Sequence, residues 1–529
     1  MNLTRATSIF DRGGQLASLR LDQTWDILVI GGGATGLGIA LDAISRGYKT
    51  LLVEQADFAK GTSSRSTKLV HGGVRYLAQG DIRLVREASI ERGLLCRNAP
   101  HLVRNQTFII PVYNQWDRLK YTIGLKLYDW ISGRLTLGSS VFISRKKTIE
   151  ALPGVNTKNL RGGVLYHDGQ FDDSRLAINL VQSIIQAGGT AVNYAQVTGL
   201  VKDAGSKVSG AIIRDNEGGN EYAVRARSVI NATGVFVDDI LHMDNANAPK
   251  SICVSQGVHL VLDKKFFPSG HALMIPETSD GRVLFAVPWH DKVVIGTTDT
   301  PVDEASLEPR ALEKEIQFIL DTASGYLVHQ PTRSDVLSVF AGLRPLAAPQ
   351  QGQQKTKEIS RSHKIIVSPS NLFTILGGKW TTFRKMGEDM VNKIESHLEW
   401  EKKKPATADL QIYGYEQKVN WDDPLYFYGS DAPAIKERMN GTAGKWISES
   451  LKIHKMQVCW AVEQEMARTV EDVLSRRTRA LLLDARESIR ICPEVASIMA
   501  EAMGKDKEWI DKEVKSYTTL ATQYLLREN

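Results

Sequence analysis

A glycine-rich turn between two apolar runs constrains this chain more than any other feature. The run Asp26–Ile30 is continuous and rich in β-branched residues, as in a strand buried on both faces. GGGATG follows at residues 31–36, apolar residues recur at helical spacing over 37–44, and Thr50–Val53 is a second apolar run. A strand, a helix and a strand within about thirty residues predict a βαβ unit and therefore an α/β fold.

The turn fits G-x-G-x-x-G and predicts a dinucleotide site. Gly31 permits the tight turn, Gly33 lets the backbone approach a pyrophosphate, and Gly36 lets the helix pack on the strand. The N-terminus of the helix offers N–H groups and partial positive charge to phosphates. Glu54 ends the second strand, where its carboxylate can accept hydrogen bonds from ribose hydroxyls and repel a 2′-phosphate. An acidic residue at this place argues against NADP.

The continuation of the chain favours FAD over NAD. Instead of further parallel βαβ units, the sequence enters GTSSRST at 61–67, whose hydroxyls suit an extended, buried cofactor. Two later segments, 228–240 and 371–391, again expose backbone after an apolar strand, and the second continues into a helix aimed at the flavin ring. Beyond the fingerprint, the candidate cofactor-binding residues are Ser64, Thr67, Lys68, His71, Gly72, Gly73, Ala232, Thr233, Gly234, Gly377, Gly378 and Thr381.

Composition limits the other possibilities. The 529 residues suffice for about three domains, and the formal net charge of +6 suits an anionic ligand or a membrane surface without demanding nucleic acid. The four cysteines lie far apart with no C-x-x-C pair, so we expect no metal site, no disulfide framework and a reducing compartment. A run of about 18 apolar residues is missing from the sequence, so a membrane-spanning helix is not expected.

The chain resembles the FAD-dependent glycerol-3-phosphate dehydrogenases of aerobic metabolism, within the D-amino-acid-oxidase-like flavoprotein group. The segments that carry the resemblance are DILVIGGGATGLGIALDA, TSSRSTKLVHGGVRYL, NATGVFVDD, FAGLRPL, LGGKWTTFRKM and EMARTVEDVLSRRTRALLLDA. The resemblance implies noncovalent FAD and three domains. These are a Rossmann-like FAD-binding domain (26–100, 165–250 and 335–400), an antiparallel-sheet substrate (cap) domain (101–164 and 251–334), and a C-terminal α-helical domain (405–529).

The resemblance also implies a reaction and a set of roles. Such enzymes oxidise sn-glycerol 3-phosphate to dihydroxyacetone phosphate by hydride transfer from C2 to flavin N5, and electrons pass to membrane quinone. By similarity, Arg75, Tyr76, Arg344 and Lys379 lie at the substrate, and His259 lies near the reacting carbinol. Cationic side chains suit a phosphate dianion, and a neutral imidazole suits removal of the C2 hydroxyl proton. Arg344 can also stabilise the developing alkoxide.

Three alternatives stay open at this point. One is an oxygen-dependent glycerol-3-phosphate oxidase that makes hydrogen peroxide. Another is an amine or amino-acid oxidase, which three cationic candidates for one pocket disfavour. The third is a non-catalytic or RNA-binding flavoprotein, which lacks support because the sequence has no spaced aromatic and basic platform.

The sequence also suggests a location. It contains no D-x-[DN]-x-[DN]-G loop, which the calcium-binding mitochondrial relatives carry, so a bacterial protein is expected. Such a protein would lie in the cytoplasm and attach peripherally to the inner (plasma) membrane, with nucleic acid excluded as a partner. A homodimer is left open.

The segment KLVHGGVRYL, residues 68–77, generates a prediction. If Arg75 binds the phosphate with two N–H groups, Arg75→Lys keeps the charge but loses the two-pronged contact. We expect kcat/KM for glycerol 3-phosphate to fall about 10- to 150-fold, the equivalent of about 1.5–3 kcal/mol. Glycerol, which has no phosphate, should be oxidised nearly as before, and FAD content should stay unchanged. An equal loss on both substrates in steady-state kinetics would contradict the assignment.

Overall fold

The computed structural model describes residues 8–73, 81–133, 136–278, 280–348, 363–440 and 446–526. The strands are β1 (Thr24–Ile30), β2 (Thr50–Val53), β3 (Leu69–Val70), β4 (Val103–Val112), β5 (Val141–Ser144), β6 (Gly162–Phe171), β7 (Thr190–Val192), β8 (Ala195–Lys202), β9 (Val208–Asp215), β10 (Glu221–Asn231), β11 (Ile252–Asp263), β12 (Ala272–Ile275), β13 (Leu284–Trp289), β14 (Lys292–Gly296), β15 (Thr300–Val302), β16 (Val336–Ala347), β17 (Lys364–Val367), β18 (Leu372–Leu376), β19 (Trp446–Ser448) and β20 (Ile453–His454).

The α-helices are α1 (Arg12–Ala17), α2 (Ala34–Ser45), α3 (Ile82–Asn98), α4 (Gln115–Ser132), α5 (Arg145–Ala151), α6 (Asp173–Gln186), α7 (Val237–Asp244), α8 (Glu313–Tyr326), α9 (Phe383–His397), α10 (Ala432–Asn440), α11 (Lys455–Gln464), α12 (Ala480–Leu483), α13 (Ala485–Met503) and α14 (Lys507–Ala521). A turn of π-helix spans Asp472–Arg477. Among the residues described above, no helix is long and apolar enough to cross a membrane.

The first sheet contains the βαβ unit that the sequence predicts. Its order is β17-β18-β10-β1-β2-β7, with β9 and β8 attached to β10 as an antiparallel extension. The neighbours of β1 on both sides, β2 and β10, run parallel to it. Helices α2 and α9 cross with their backbones in contact, because a Cβ added at Gly38 or Gly387 would meet the main chain of the other helix. This sheet and its helices form the α/β layer.

The second sheet is almost entirely antiparallel. Its order is β15-β11-β14-β13-β12-β4-β6-β3, with β16 on the other side of β11 and β5 on β6, and only the pair β12 and β4 in this sheet is parallel among the described residues. Strands β13 and β14 form an antiparallel hairpin. His290 and Asp291 connect these strands with φ of 46° and 57°, as in a two-residue hairpin turn.

Two strands, β16 and β6, pair in the second sheet although the domain ranges given above place all or most of each in the FAD-binding domain. Residues 335–400 were assigned to the FAD-binding domain, yet β16 pairs with β11 from end to end and so belongs to the second sheet. Likewise β6 pairs with β4 along its whole length, although the range 165–250 begins within β6. The apolar pattern of a buried strand is the same in either sheet, and only tertiary pairing decides between them.

The C-terminal region is helical, as expected, and packs on the second sheet. Val261, Val294 and Phe340 of that sheet share one buried cluster with helices α11, α13 and α14. Val458, Val470 and Val473 are buried in this cluster, but they do not lie on one helix. Helix α11 ends at Gln464, and a loop precedes the π-helical turn that contains Val473.

Candidate active site

A cleft along the carboxyl end of the first sheet forms the first of two adjoining cavities. Its lining includes the turn at 31–35, the loop at 232–236 after β10, and the loop at 377–380 after β18. A Cβ on Gly31 would lie 2.6 Å from the carbonyl oxygen of Ala232, and a Cβ on Gly36 would collide with the carbonyl oxygen of Gly31. Gly31 and Gly36 are therefore required by backbone contact, and the turn borders the cavity at the N-terminus of α2.

Glu54 stands at one end of this cavity. Its carboxylate accepts hydrogen bonds from the backbone N–H groups of Gly32 (2.7 Å) and Ala56 (2.9 Å). Burial raises the pKa of Glu54 above its ordinary value, although those two N–H groups oppose the change. The carboxylate thus orients the glycine turn and lines the cavity at the place expected for a ribose.

In the hydroxyl-rich segment 61–67, Thr62 and Ser63 line the first cavity, whereas the predicted residue Ser64 does not. The Ser63 hydroxyl accepts a hydrogen bond from the backbone N–H of Ala34 at 2.9 Å. Ser64 and Lys68 line neither cavity. The Lys68 ammonium is fully buried and donates to Asp173 and to the carbonyl of Ser64, each at 2.7 Å. Its side chain is therefore bound within the protein, away from the predicted cofactor contact.

The second cavity lies against the antiparallel sheet and measures about 280 Å³. It brings together several predicted residues: Thr67, His71, His259, Arg344, Gly377, Gly378, Lys379 and Thr381. Phe285 of β13 and the preceding Val283 form part of its wall. Thr62, Pro345 and the loop 377–380 border both cavities, so the two spaces meet at that loop.

His259 lies on β11 within the wall of the second cavity. Its Nε2 is 2.9 Å from the Thr67 hydroxyl, and its ring stacks on Phe340 with 4.9 Å between ring centroids. Within the described part of the chain, Nδ1 has no hydrogen-bond partner. Burial, with the charges of Arg344 and Lys68, holds the pKa of His259 well below its ordinary value. The imidazole is therefore neutral at pH 7.

Arg344 lies beside His259 and is fixed by polar partners. Its guanidinium donates to Asp299 (3.3 Å), the Thr297 hydroxyl (3.1 Å) and the carbonyl of Thr298 (3.0 Å). A Cβ added at Gly257 would collide with this guanidinium, so a glycine two residues before His259 makes room for it. The arginine is held in one orientation on the cavity wall.

Other predicted residues stand apart from the cavities or outside the described chain. The Gly72 N–H donates to Asp168 at 3.2 Å, and a Cβ there would collide with the Tyr128 hydroxyl. Gly73 has φ of 82° and borders neither cavity. Arg75 and Tyr76 lie outside the described residues.

Sequence reasoning missed three contributors to the site. Trp380 borders both cavities and donates its indole N–H to the Ser63 carbonyl at 2.7 Å. It directly follows Lys379, so its place in the same loop was a usable signal. Thr297 and Asp299 fix Arg344 from the end of β14. No local pattern marks them, because the contact depends on the pairing of β11 with β14 and β16.

Comparison with known proteins identifies the family. Residues 26–381 match the family described as FAD dependent oxidoreductase, and residues 374–510 match the C-terminal domain of alpha-glycerophosphate oxidase. The chain is 37% identical to the mitochondrial glycerol-3-phosphate dehydrogenase of Homo sapiens, covering 98% of this chain and 75% of that protein. The probable mitochondrial glycerol-3-phosphate dehydrogenase of Caenorhabditis elegans is 36% identical, with 95% and 74% covered.

This chain belongs to the FAD-dependent glycerol-3-phosphate dehydrogenase family. A solved glycerol-3-phosphate dehydrogenase from Bacillus halodurans, complexed with FAD, matches with a TM-score of 0.80 and 29% identity, over 99% of this chain and 100% of that one. The fold prediction and the cofactor prediction are confirmed.

The residues of this dehydrogenase-family chain fit FAD. Gly31, Gly33 and the first residues of α2, Ala34 and Thr35, line the first cavity together with Glu54, so backbone N–H groups at the helix N-terminus border the space for the phosphates. From there the cavity continues to the loop 377–380, where the second cavity begins. An elongated cofactor can therefore extend from Glu54 towards the space that contains His259.

Glu54→Gln should weaken FAD retention while the fold persists. The amide oxygen can accept from only one of the two backbone N–H groups, Gly32 or Ala56, and the charge-assisted bond expected to a ribose hydroxyl, worth about 1.5–3 kcal/mol, is lost. We expect FAD affinity to fall about 10- to 150-fold in flavin-release titrations. Gln55→Glu, which changes the adjoining cavity residue, serves as the matched control. Unchanged FAD affinity in Glu54→Gln, with normal thermal unfolding, would show that Glu54 only orders the turn.

Proposed function

We propose that this protein oxidises sn-glycerol 3-phosphate to dihydroxyacetone phosphate with FAD as the electron acceptor. One observation supports this most directly. The cavity with Arg344, Lys379 and His259 meets the nucleotide cavity at the loop 377–380. A substrate in the second cavity therefore adjoins the end of a cofactor held in the first.

Two residues of the second cavity, His259 and Arg344, have different roles in the oxidation of the C2 alcohol. FAD, when bound, accepts the two electrons released as the C2 alcohol becomes a ketone. His259, neutral for the reasons given above, takes the C2 hydroxyl proton. Arg344 stabilises negative charge that develops on the same oxygen, since its guanidinium lies beside His259 and is already oriented.

The phosphate needs a separate set of contacts. Lys379 lines both cavities and supplies a positive charge near their junction. Arg75 and Tyr76 complete this set by family resemblance, and Arg344 adds a guanidinium that suits phosphate oxygens. Arg344 and Lys379, both half-buried, place two positive charges on one small cavity, which match a phosphate dianion better than the single carboxylate of an amino acid.

The electron acceptor after FAD is proposed to be membrane quinone, with the protein attached peripherally to the inner (plasma) membrane of a bacterium. The cytoplasmic face would then supply glycerol 3-phosphate. An oxygen-dependent glycerol-3-phosphate oxidase is the second candidate, and the match of residues 374–510 to the C-terminal domain of alpha-glycerophosphate oxidase supports it.

Substrate-dependent bleaching of the flavin absorbance tests the proposed reaction. Under anaerobic conditions, we expect glycerol 3-phosphate to bleach the absorbance of bound FAD and to be converted to dihydroxyacetone phosphate. Glycine or proline should leave the spectrum unchanged. When oxygen or a quinone analogue is then added, the quinone analogue should reoxidise the reduced FAD faster than oxygen does, and little hydrogen peroxide should form. Stoichiometric peroxide would support the oxidase instead, and no bleaching by glycerol 3-phosphate would refute the substrate.

His259→Asn should remove the proposed base without removing the substrate contacts. We expect kcat to fall about 10²- to 10⁴-fold while KM changes little. In the wild type, kcat/KM should fall with decreasing pH only below about pH 6.5, because only the neutral imidazole accepts a proton and its pKa is lowered. The variant should lose this acidic limb.

The exposed His242 gives a matched control for that variant. His242→Asn should leave both kcat and the pH profile unchanged. A His259→Asn enzyme that keeps the acidic limb of the wild type would show that another group accepts the proton.

A further inference from the structure

Helix α4 carries an apolar stripe that faces away from the protein. Trp116 and Trp130 are each 78% exposed, and Leu119, Ile123 and Leu127 between them are 50%, 59% and 42% exposed. At about 100° per residue these five side chains fall within an arc of about 80°. We call them the α4 stripe.

The opposite side of α4 is already buried. Leu125 and Tyr128 pack inward and are each 2% exposed. The α4 stripe is therefore additional to the apolar face that folding requires, and an amphipathic surface helix normally has only one such face. Exposed apolar patches that are contiguous and bordered by polar residues mark interaction surfaces.

Positive charge borders the α4 stripe. Lys120 and Lys126 are exposed and lie on opposite sides of it, each about 20° beyond an edge. Three exposed cations follow at the start of α5, namely Arg145, Lys146 and Lys147. Residues 115–147 contain seven Lys or Arg and two Asp or Glu, a formal charge of +5 in a chain whose total is +6. The segment of sequence that contains the exposed tryptophans is therefore strongly positive.

The geometry points to an anionic lipid surface as the partner, and we propose that α4 lies in the membrane interface with its stripe inserted. Trp116 and Trp130 are about 21 Å apart along one side of a helix, so both can reach one plane. Tryptophan suits the headgroup level, and flanking lysines can keep their ammonium groups among anionic headgroups. This inference deepens the proposed function by naming the surface that would face the quinone.

Charge favours lipid over a second copy of the chain. A two-fold pairing would place the α4 stripe against itself and bring the lysine rows of the two copies together. An anionic bilayer neutralises the same charges and accepts all five apolar side chains. The experiment must therefore distinguish binding to lipid from self-association of two copies through α4.

The inner side of α4 connects the stripe with the second cavity. Leu125 and Tyr121 pack in the same cluster as Phe108, Tyr166 and Phe285. These last three line the cavity that contains His259. Helix α4 and this cluster therefore lie between the proposed membrane face and the proposed reaction site, which suits an acceptor dissolved in lipid.

Vesicle flotation of the full-length, FAD-loaded protein tests the proposal. The stripe variant is Trp116→Ser, Ile123→Ser, Trp130→Ser, and the charge variant is Lys120→Glu, Lys126→Glu. The matched control, Ile212→Ser, Leu312→Ser, Val328→Ser, changes three exposed apolar residues elsewhere on the surface. Each is mixed with phosphatidylcholine vesicles with or without about 30% phosphatidylglycerol, at about 0.1 M and 1 M salt.

We expect the wild type and the matched control to float with the anionic vesicles. The stripe variant should bind at least about tenfold more weakly, and the charge variant should lose the preference for phosphatidylglycerol and the salt dependence. Lipids brominated in the upper acyl chain should quench tryptophan fluorescence of the wild type and not of the stripe variant.

Three results would overturn the inference. The wild type could fail to bind either vesicle, or the stripe variant could bind as tightly as the wild type. Alternatively, the stripe variant could become a monomer while the wild type is a dimer, with vesicle binding unchanged, which would make α4 an interface between copies. Glycerol 3-phosphate oxidation with a water-soluble dye, measured on each variant, tests the proposed function separately, since that assay needs no membrane.

Discussion

Buried ion pairs hold the segment between β2 and β3, and both cavities depend on it. Asp57 is fully buried between Arg476 and Arg477, with 2.9 Å between its Oδ1 and Nη2 of Arg477. Burial opposes its ionisation, but the charges of Arg477 and Arg476 outweigh burial and lower the pKa of Asp57 below its ordinary value. Lys68 is tied to Asp173 in the same manner. Removing one partner of such a pair costs about 3–5 kcal/mol, because the other charge stays buried and unpaired.

The position of those arginines explains what the C-terminal helical region contributes. None of the described residues beyond 405 lines either cavity, yet Arg476 and Arg477 lie in that region and fix a loop that does. Between its anchor at Asp57 and the one at Lys68, the loop presents Thr62 and Ser63 to the nucleotide cavity and Thr67 to His259. The C-terminal region thus acts on the site by holding this loop in place, and Arg476 and Arg477 do so through Asp57.

Patterns local in sequence predicted much of the fold, and contacts distant in sequence account for what they missed. The glycine turn specifies its own strand, helix and ligand-facing backbone, so residues 26–54 could be assigned from the sequence. The partner of β16 could not be read from an apolar run that suits either sheet. Lys68 looked available for a cofactor because its counter-ion, Asp173, lies more than a hundred residues away. His259 and Arg344 were assigned by resemblance, whereas Asp299, which orients Arg344, leaves no local signal.

Charges around the second cavity would make the pKa of His259 depend on whether a phosphate-bearing substrate is bound. Burial comes first among the causes that lower the pKa of His259, followed by the charges of Arg344 and Lys68. Lys68 is neutralised by Asp173, but Arg344 borders the cavity where a phosphate dianion is proposed to bind. A bound dianion would offset the repulsion between Arg344 and a protonated imidazole, and so raise the pKa of His259 towards neutral pH. Since a base is most effective when its pKa is near the working pH, a bound phosphate dianion would make His259 a stronger proton acceptor.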